Sequence, residues 1–326
     1  RLIQQTFRQT EESIILGWLP LYHDMGLIGN VLQPLYVGAP CILMSPVAFL
    51  QKPSRWLHAI SRYKATTSGA PNFAYDLCAR KTTPEQRAEL DLSSWTTAFN
   101  GAEPVRRETM ERFAQTFADC GFRREAFHPC YGLAEATLLV SGGATETIEN
   151  RAFQKEALEH NVVIGAEAES KEARTLVACG RALPDQRVVI VSSETLTPAR
   201  PDEVGEIWVS GASVTQGYWN RPEETAHTFR AYLADTGEGP FLRTGDLGFL
   251  NAGELFITGR LKDLIIIRGR NHYPQDLEQT VGHSHPVVEG GMGAAFSVEV
   301  EGEERLVVVQ EMSQRAVNSA EVVESI

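Results

Sequence analysis

His23 stands beside Asp24 in YHDMG, a pairing in which a carboxylate can orient an imidazole and set its tautomer. These are two members of a Ser/His/Asp triad, but no G-x-S-x-G elbow supplies the nucleophile. In TAFNGAEPV (97–105) a β-type run ends at Asn100-Gly101, and Pro104 opens a helical pattern. In a parallel sheet such a loop lies at the carboxyl edge of its strand, where ligands bind. Gly101 and Ala102 lack bulk, so a planar ligand can approach the backbone; an ordinary strand-to-helix turn explains the same residues. HPCYGLAEAT (128–137) repeats the pattern. There Tyr131-Gly132 ends a strand, and Glu135 falls in the next turn as a hard oxygen ligand suited to Mg²⁺ or as a solvated surface carboxylate. FLRTGDLG (241–248) sets Asp246 in a Gly-flanked turn, where a carboxylate can accept both hydroxyls of a ribose or close an Asx turn. HSHP (283–286) lacks an acidic or Cys partner, and GGMG (290–293) is no G-x-G-x-x-G because Phe occupies position 296. Neither carries chemistry.

The elements that must hold these residues follow from apolar spacing. Residues 14–19 read as a strand turning at Pro20, residues 25–36 as a helix, and residues 39–46 as a short strand between prolines. A helix opens near Pro53 with Trp56, Leu57 and Ile60 at helical spacing. Residues 64–81 read as strand, turn and helix, residues 95–100 as a strand, 105–118 as a helix and 126–132 as a strand. Such alternation predicts βαβ units around a parallel sheet, hence an α/β fold. From Val188 onward, short strands with Gly and Pro turns predict a small β-subdomain over about 186–260. Residues 146–174 are charge-rich and weakly periodic, which predicts an insertion or surface excursion. Beyond it, GRLKDLIIIRGRN (259–271) sets the apolar run 264–267 between two charged clusters. A further strand, the turn NHYP, a helix over 275–282 and strands over 294–300 and 305–312 complete an α+β module.

Composition narrows the classes. A chain of 326 residues that is 43% hydrophobic and 22% charged has the material for about two globular domains. A net charge of −12 disfavours nonspecific binding to nucleic acid or to anionic membranes. Cys41, Cys78, Cys120, Cys130 and Cys179 form no C-x-x-C pair, which argues against a disulfide framework or zinc knuckle and for reduced thiols in a cytoplasmic protein. No apolar run approaches the roughly 18 residues that span a bilayer.

The order and spacing of the motifs carry more than any one of them. YHDMG, NGAEP, YGLAE, RTGDLG and GRLKDLIIIRGRN with YPQDLE occur in the order of the adenylate-forming ligases, which the chain resembles over nearly its whole length. Within that superfamily WLPLYHDMGLIG, GAPNFAYDLCARK, YGLAEATLLVSGG and GRNHYPQDLE resemble the fatty acyl-AMP ligases. The resemblance implies the C-terminal part of a large AMP-binding domain over 1–260, a hinge at 261–263 with Lys262 at its pivot, and the beginning of a small mobile C-terminal domain over 264–326. It implies that Gly101, Ala102, Glu103 and Gly132 line an adenine site, with the ring of Tyr131 against the base. Glu135 would coordinate Mg²⁺, Asp246 would hold the ribose and Arg260 would support it. His23 would sit near the substrate carboxylate, and Met25, Asn72 and Phe73 would border an acyl tunnel.

The implied reaction joins a medium- to long-chain fatty acid to ATP, giving acyl-adenylate and pyrophosphate. The acyl group then passes to the phosphopantetheine thiol of an acyl carrier protein. A coenzyme A ligase and a catalytically silent nucleotide-binding relative are the alternatives. Ala134 stands where many acyl-CoA synthetases have Thr, a choice that the fatty acyl-AMP ligases share. The family's Ser/Thr/Gly-rich phosphate loop and C-terminal catalytic Lys match nothing here, and the chain opens on Arg within a helix-like run. The expectation is a piece of a longer ligase that adenylates poorly or not at all by itself. In the fatty acyl-AMP ligases, sequence at the place of 146–174 is thought to hinder rotation of the small domain; a solvated loop without that role is the alternative.

Overall fold

The computed structural model describes residues 1–143, 150–168, 170–267, 270–288, 291–300 and 303–312. Strands β1 (Ile15–Gly17), β2 (Cys41–Leu43), β3 (Thr67–Ala70), β4 (Thr97–Asn100) and β5 (Phe127–Pro129) form a parallel sheet in the order β2-β1-β3-β4-β5. This is the strand order of doubly wound α/β sheets, in which ligands gather beyond the carboxyl ends of the strands. Buried on both faces, such strands are almost wholly apolar or small, and every residue of β1, β3 and β4 is buried. Helix Ser54–Tyr63 turns Trp56, Leu57 and Ile60 into the core, where each is fully buried. The Trp56 ring meets Trp95 edge-on at 5.2 Å, and Tyr75 meets Phe113 at 5.2 Å. This aromatic packing stiffens the floor beneath the loops that follow β4 and β5.

The helix expected over 25–36 runs from Asp24 to Val37, but its middle, Ile28–Leu32, is π-helical. Pro34 is the reason: it has no N–H to donate to the carbonyl of Asn30, one turn back. The Cys41 thiol donates to that carbonyl at 2.8 Å instead, tying β2 to the helix. The strand expected over 39–46 is only Cys41–Leu43, because Pro46 starts a helix, Pro46–Gln51.

The single strand expected over 126–132 is two. Pro129 ends β5, and after Cys130 the chain enters β6 (Tyr131–Leu133), which pairs antiparallel with β7 (Leu138–Gly142) in a different sheet. Residues 150–177 are also more regular than their sequence suggested. Antiparallel strands β8 (Asn150–Gln154) and β9 (Ala173–Val177) enclose the short helix Lys155–Glu159, while positions 146–149 lie outside the described residues. Strand β10 (Arg181–Ala182) completes the sheet of β6 and β7.

The β-subdomain is an antiparallel meander of β11 (Gln186–Val191), β12 (Gly205–Gly211), β13 (Leu242–Asn251) and β14 (Glu254–Arg260). A 3₁₀ turn, Leu261–Asp263, links it to a hairpin of β15 (Ile265–Ile267) and β16 (Arg270–His272). The expected turn over 268–271 includes positions 268 and 269, which lie outside the described residues. Helix Pro274–Gly282 and the antiparallel pair β17 (Gly293–Val300) and β18 (Glu303–Gln310) follow.

Candidate active site

Asp246 lies inside β13, not in a turn between strands, and its register partner on β14 is Arg260. The kink that aims it comes from Gly245, whose φ of 70° is the left-handed conformation that glycine adopts freely. Both carboxylate oxygens are engaged: Arg260 donates through Nε to Oδ1 at 3.1 Å, and the Tyr131 hydroxyl donates to Oδ2 at 2.7 Å. Burial pushes the Asp246 carboxyl above its ordinary range, while the Tyr131 hydroxyl and Arg260 pull it back. Each carboxylate oxygen has a second lone pair, so two ribose hydroxyls can still be accepted.

Behind this strand is a clamp that the sequence motifs did not reveal. Glu206 on β12 is 2% exposed and accepts from the Gly245 N–H at 3.2 Å, Arg243 Nη2 at 2.8 Å and Trp208 Nε1 at 2.9 Å. A buried carboxylate with this many donors locks the backbone on which Asp246 is mounted.

The loop after β4 carries Gly101, Ala102 and Glu103. Ala102 has a φ of 68° and is exposed, whereas Gly101 is buried. A Cβ on Gly101 would come within 2.8 Å of the Cys130 carbonyl oxygen, and one on Gly132 within 1.7 Å of the Leu138 carbonyl oxygen. Small residues are therefore needed here for close backbone packing, a reason additional to the expected approach of a planar ligand. Glu103 accepts from the Phe73 N–H at 2.5 Å. Asn72, expected beside the acyl tunnel, instead braces this loop: its Nδ2 donates to Thr109 Oγ1 at 3.1 Å and its Oδ1 accepts from the Arg106 N–H at 3.0 Å. The Phe73 ring packs edge-on against Trp18.

Glu135 occupies the 3₁₀ turn Ala134–Ala136 between β6 and β7. Its Oε1 accepts from the Tyr218 hydroxyl at 2.6 Å, and its carbonyl accepts from the Thr215 N–H at 2.8 Å. Burial and the neighbouring Glu135 carboxylate raise the Tyr218 phenol, so it remains the donor. Among the described residues no group of three His, Cys, Asp or Glu forms a cage for a metal ion. A single carboxylate fits the habit of Mg²⁺, which keeps several waters and takes its other ligands from substrate phosphates. His23 precedes the helix at Asp24, with Nδ1 2.7 Å from Asp24 Oδ1. Nδ1 also accepts from the Met25 N–H at 3.2 Å, a donor that it shares with Asp24 Oδ1, so His23 caps the helix.

Two cavities meet at this point. One, of about 750 Å³, is lined by Glu103, Tyr131 and Asp246 on the body of the protein and by Asn271, Tyr273 and Asp276 beyond the 261–263 turn. The other, of about 380 Å³, has His23 and Glu135 in its wall together with apolar Phe7, Met25, Leu133 and Leu138. Ala102, Cys130, Gly132 and Arg260 line both. Gly101 and Met25 border the second; Asn72 and Phe73 line neither. Lys262 is exposed on the 3₁₀ turn. Burial pushes the Cys130 thiol up to about 12, so the sulfur in the shared wall is protonated and is no nucleophile.

Residues 1–219 match the family model described as AMP-binding enzyme. The chain is 56% identical, over 99% of its length and 56% of the relative's, to a medium-chain-fatty-acid–[acyl-carrier-protein] ligase of Moorena producens. It is 41% identical to a long-chain-fatty-acid–AMP ligase of Mycobacterium bovis, over 94% of this chain and 53% of that one. Among solved structures, the fatty acyl-adenylate ligase of Legionella pneumophila in complex with acyl adenylate and pyrophosphate matches with a TM-score of 0.79 and 49% identity, over 99% of this chain and 57% of that one. The chain thus spans about half the length of the curated relatives it matches. No helix among the described residues is long and apolar enough to cross a membrane. Parallel sheet, antiparallel meander and sequence match agree, and the chain belongs to the AMP-binding enzyme family.

Proposed function

We propose that this chain supplies the nucleotide and acyl sites of an ATP-dependent fatty acid–AMP ligase. The observation that carries the reading is the shared wall: a carboxylate-lined cavity suited to adenosine meets an apolar cavity suited to an alkyl chain at Arg260 and Gly132. An acyl-adenylate has this form, with a nucleoside and a hydrocarbon joined at one phosphate. Asp246 accepts the ribose hydroxyls, and Tyr131, Ala102 and Glu103 enclose the base. Arg260 places positive charge at the junction, which favours the anionic phosphate. His23 orients the carboxylate at the mouth of the apolar cavity. Glu135 would hold Mg²⁺, which would supply charge neutralisation on the phosphates. A carboxylate oxygen forms a bond to the α-phosphorus of ATP as the bond to pyrophosphate breaks, and the acyl-adenylate stays in both cavities.

The next acceptor in this reading is a thiol from outside, since burial disfavours Cys130 in the shared wall as a nucleophile. The phosphopantetheine of an acyl carrier protein is favoured over free coenzyme A by one arrangement. Arg174 on β9 pairs with Asp276 at 3.1 Å, its guanidinium lies 4.7 Å from the centre of the Tyr273 ring, and Asn161 accepts from Asn271 at 3.0 Å. These contacts hold residues 150–177 to the module beyond Lys262 and oppose its turning about the 261–263 joint. The five cysteines are all free thiols, in keeping with a cytoplasmic setting.

Calorimetric titration tests the reading. A non-hydrolysable decanoyl-sulfamoyl adenosine is expected to bind at least about a hundredfold more tightly than AMP, because one molecule fills both cavities. Equal affinity for the two would reject a joint nucleotide and acyl site.

A further inference from the structure

Backbone strain gathers at one bend beside the candidate site. After the 3₁₀ turn Ala134–Ala136, Thr137 has φ 52° and ψ 51°, and Leu138 has φ 80°. Both are left-handed, a region that is costly for any side chain and most costly for a β-branched one. Two such residues in succession, neither of them Gly or Asn, persist only where their surroundings hold them. Thr137 is exposed and lines neither cavity, so burial and ligand packing do not account for its conformation.

A circuit of hydrogen bonds does. Thr137 Oγ1 donates to the Ser213 carbonyl at 2.6 Å. Ser213 Oγ accepts from Gln186 Nε2 at 2.6 Å, and the same Nε2 donates to the Leu139 carbonyl at 3.1 Å. The circuit grips the chain at 137 and again at 139, on both sides of Leu138. The loop that carries Ser213 also reaches Glu135 itself, through the Thr215 N–H to its carbonyl and the Tyr218 hydroxyl to its carboxylate. If Thr137 relaxed to an ordinary helical φ of about −63°, a change of roughly 115°, the turn that carries Glu135 would swing with it. A ligating carboxylate works only within about 0.5 Å of its productive position.

We propose that Thr137 is a positioning residue for the reaction: its bond to Ser213 holds the strained bend that fixes the direction of the Glu135 carboxylate. Gln186 anchors Ser213, the post to which Thr137 is tied. This rests on the reading above that Glu135 holds Mg²⁺. Thr137 acts through Glu135 and touches neither the substrate nor the reacting atoms.

The test is calorimetric titration of the full chain with ATP, with and without Mg²⁺, beside urea denaturation of each variant. Thr137→Val keeps the β-branched shape and loses the hydroxyl. It is expected to cut the Mg²⁺ gain in ATP affinity about tenfold and to leave metal-free ATP binding unchanged. Gln186→Leu is expected to act in the same direction. Thr137→Ser keeps the donor and should restore the gain to within about twofold. Glycine accepts the left-handed conformation freely, so Thr137→Gly should unfold at about the urea concentration of the unmodified chain. It should nevertheless lose the Mg²⁺ gain as Thr137→Val does, a separation that a merely structural role does not produce. An undiminished gain in Thr137→Val, or no recovery in Thr137→Ser, overturns the proposal and leaves Glu135 as the metal ligand. If the unmodified chain gains nothing from Mg²⁺, or Glu135→Gln keeps the whole gain, the reading of Glu135 fails and the proposal falls with it.

Discussion

The hydroxyl of Tyr131 donates to Asp246 at 2.7 Å across 115 residues of sequence, joining the sheet of β6 and β7 to the meander of β13 and β14. The bond places an aromatic ring and a carboxylate in one wall. In the proposed reading Tyr131 supports Asp246 as well as offering a surface for the base. Tyr131→Phe is expected to weaken binding of the adenylate mimic about tenfold, and Asp246→Ala more, since hydrogen bonds to charged groups contribute about 1.5–3 kcal/mol. Titration calorimetry on both variants checks the order.

The raised Asp246 carboxyl gives binding a pH dependence of definite sign. An ionised carboxylate accepts from the ribose; a protonated one has lost part of that capacity. Because the folded value lies above the ordinary one of about 3.9, affinity is lost as pH falls at a higher pH than for an unperturbed Asp. The same shift makes folding stability fall as pH rises through this window, because the folded state holds the proton more tightly than the unfolded chain. Asp246→Asn is expected to flatten this part of the profile, measured as mimic affinity between neutral and mildly acidic pH.

Tyr218 and Glu135 separate two roles at one carboxylate. Addition of Mg²⁺ is expected to tighten ATP binding to the unmodified chain. Glu135→Gln should abolish that gain, whereas Tyr218→Phe, which removes a neutral donor and keeps the charge, should preserve most of it. Equal Mg²⁺ dependence in Glu135→Gln would place the ion elsewhere.

Glu206 is the structural counterpart. Its side chain is 2% exposed and its partner Arg243 20% exposed, so removal of the carboxylate leaves a largely buried guanidinium without its charge partner. Glu206→Ala is expected to cost about 3 kcal/mol or more in urea denaturation. The Cys41 thiol predicts a smaller effect: Cys41→Ala leaves the Asn30 carbonyl without its donor and should cost about 1 kcal/mol, and Cys41→Ser should restore part of it.

Arg174 carries the acceptor prediction. Arg174→Ala removes both the Asp276 ion pair and the contact with the Tyr273 ring. In the ligase it is expected to raise acyl transfer to coenzyme A relative to carrier protein, read by mass spectrometry of the two thioesters. An unchanged ratio would mean that these contacts do not restrain the module.

Local sequence determined much of the frame. Apolar runs at strand spacing, Trp56, Leu57 and Ile60 at helical spacing, and the glycines flanking Asp246 act through neighbours a few residues away, so they are legible without a structure. The adenylate-forming resemblance is legible for the same reason, since its motifs are contiguous. What tertiary structure alone decided lies where partners come from distant strands. Asp246 sits within a strand opposite Arg260, the Gly101 and Gly132 positions are filled by neighbouring carbonyls, and Asn72 braces a loop instead of bordering a tunnel. Glu206 and Tyr218 had no motif to announce them, because each acquires its role from a partner 37 to 83 residues away. A side chain's type is written in the sequence; which buried donor, acceptor or cavity it faces is set only when separate sheets and helices pack, and here that packing makes the site.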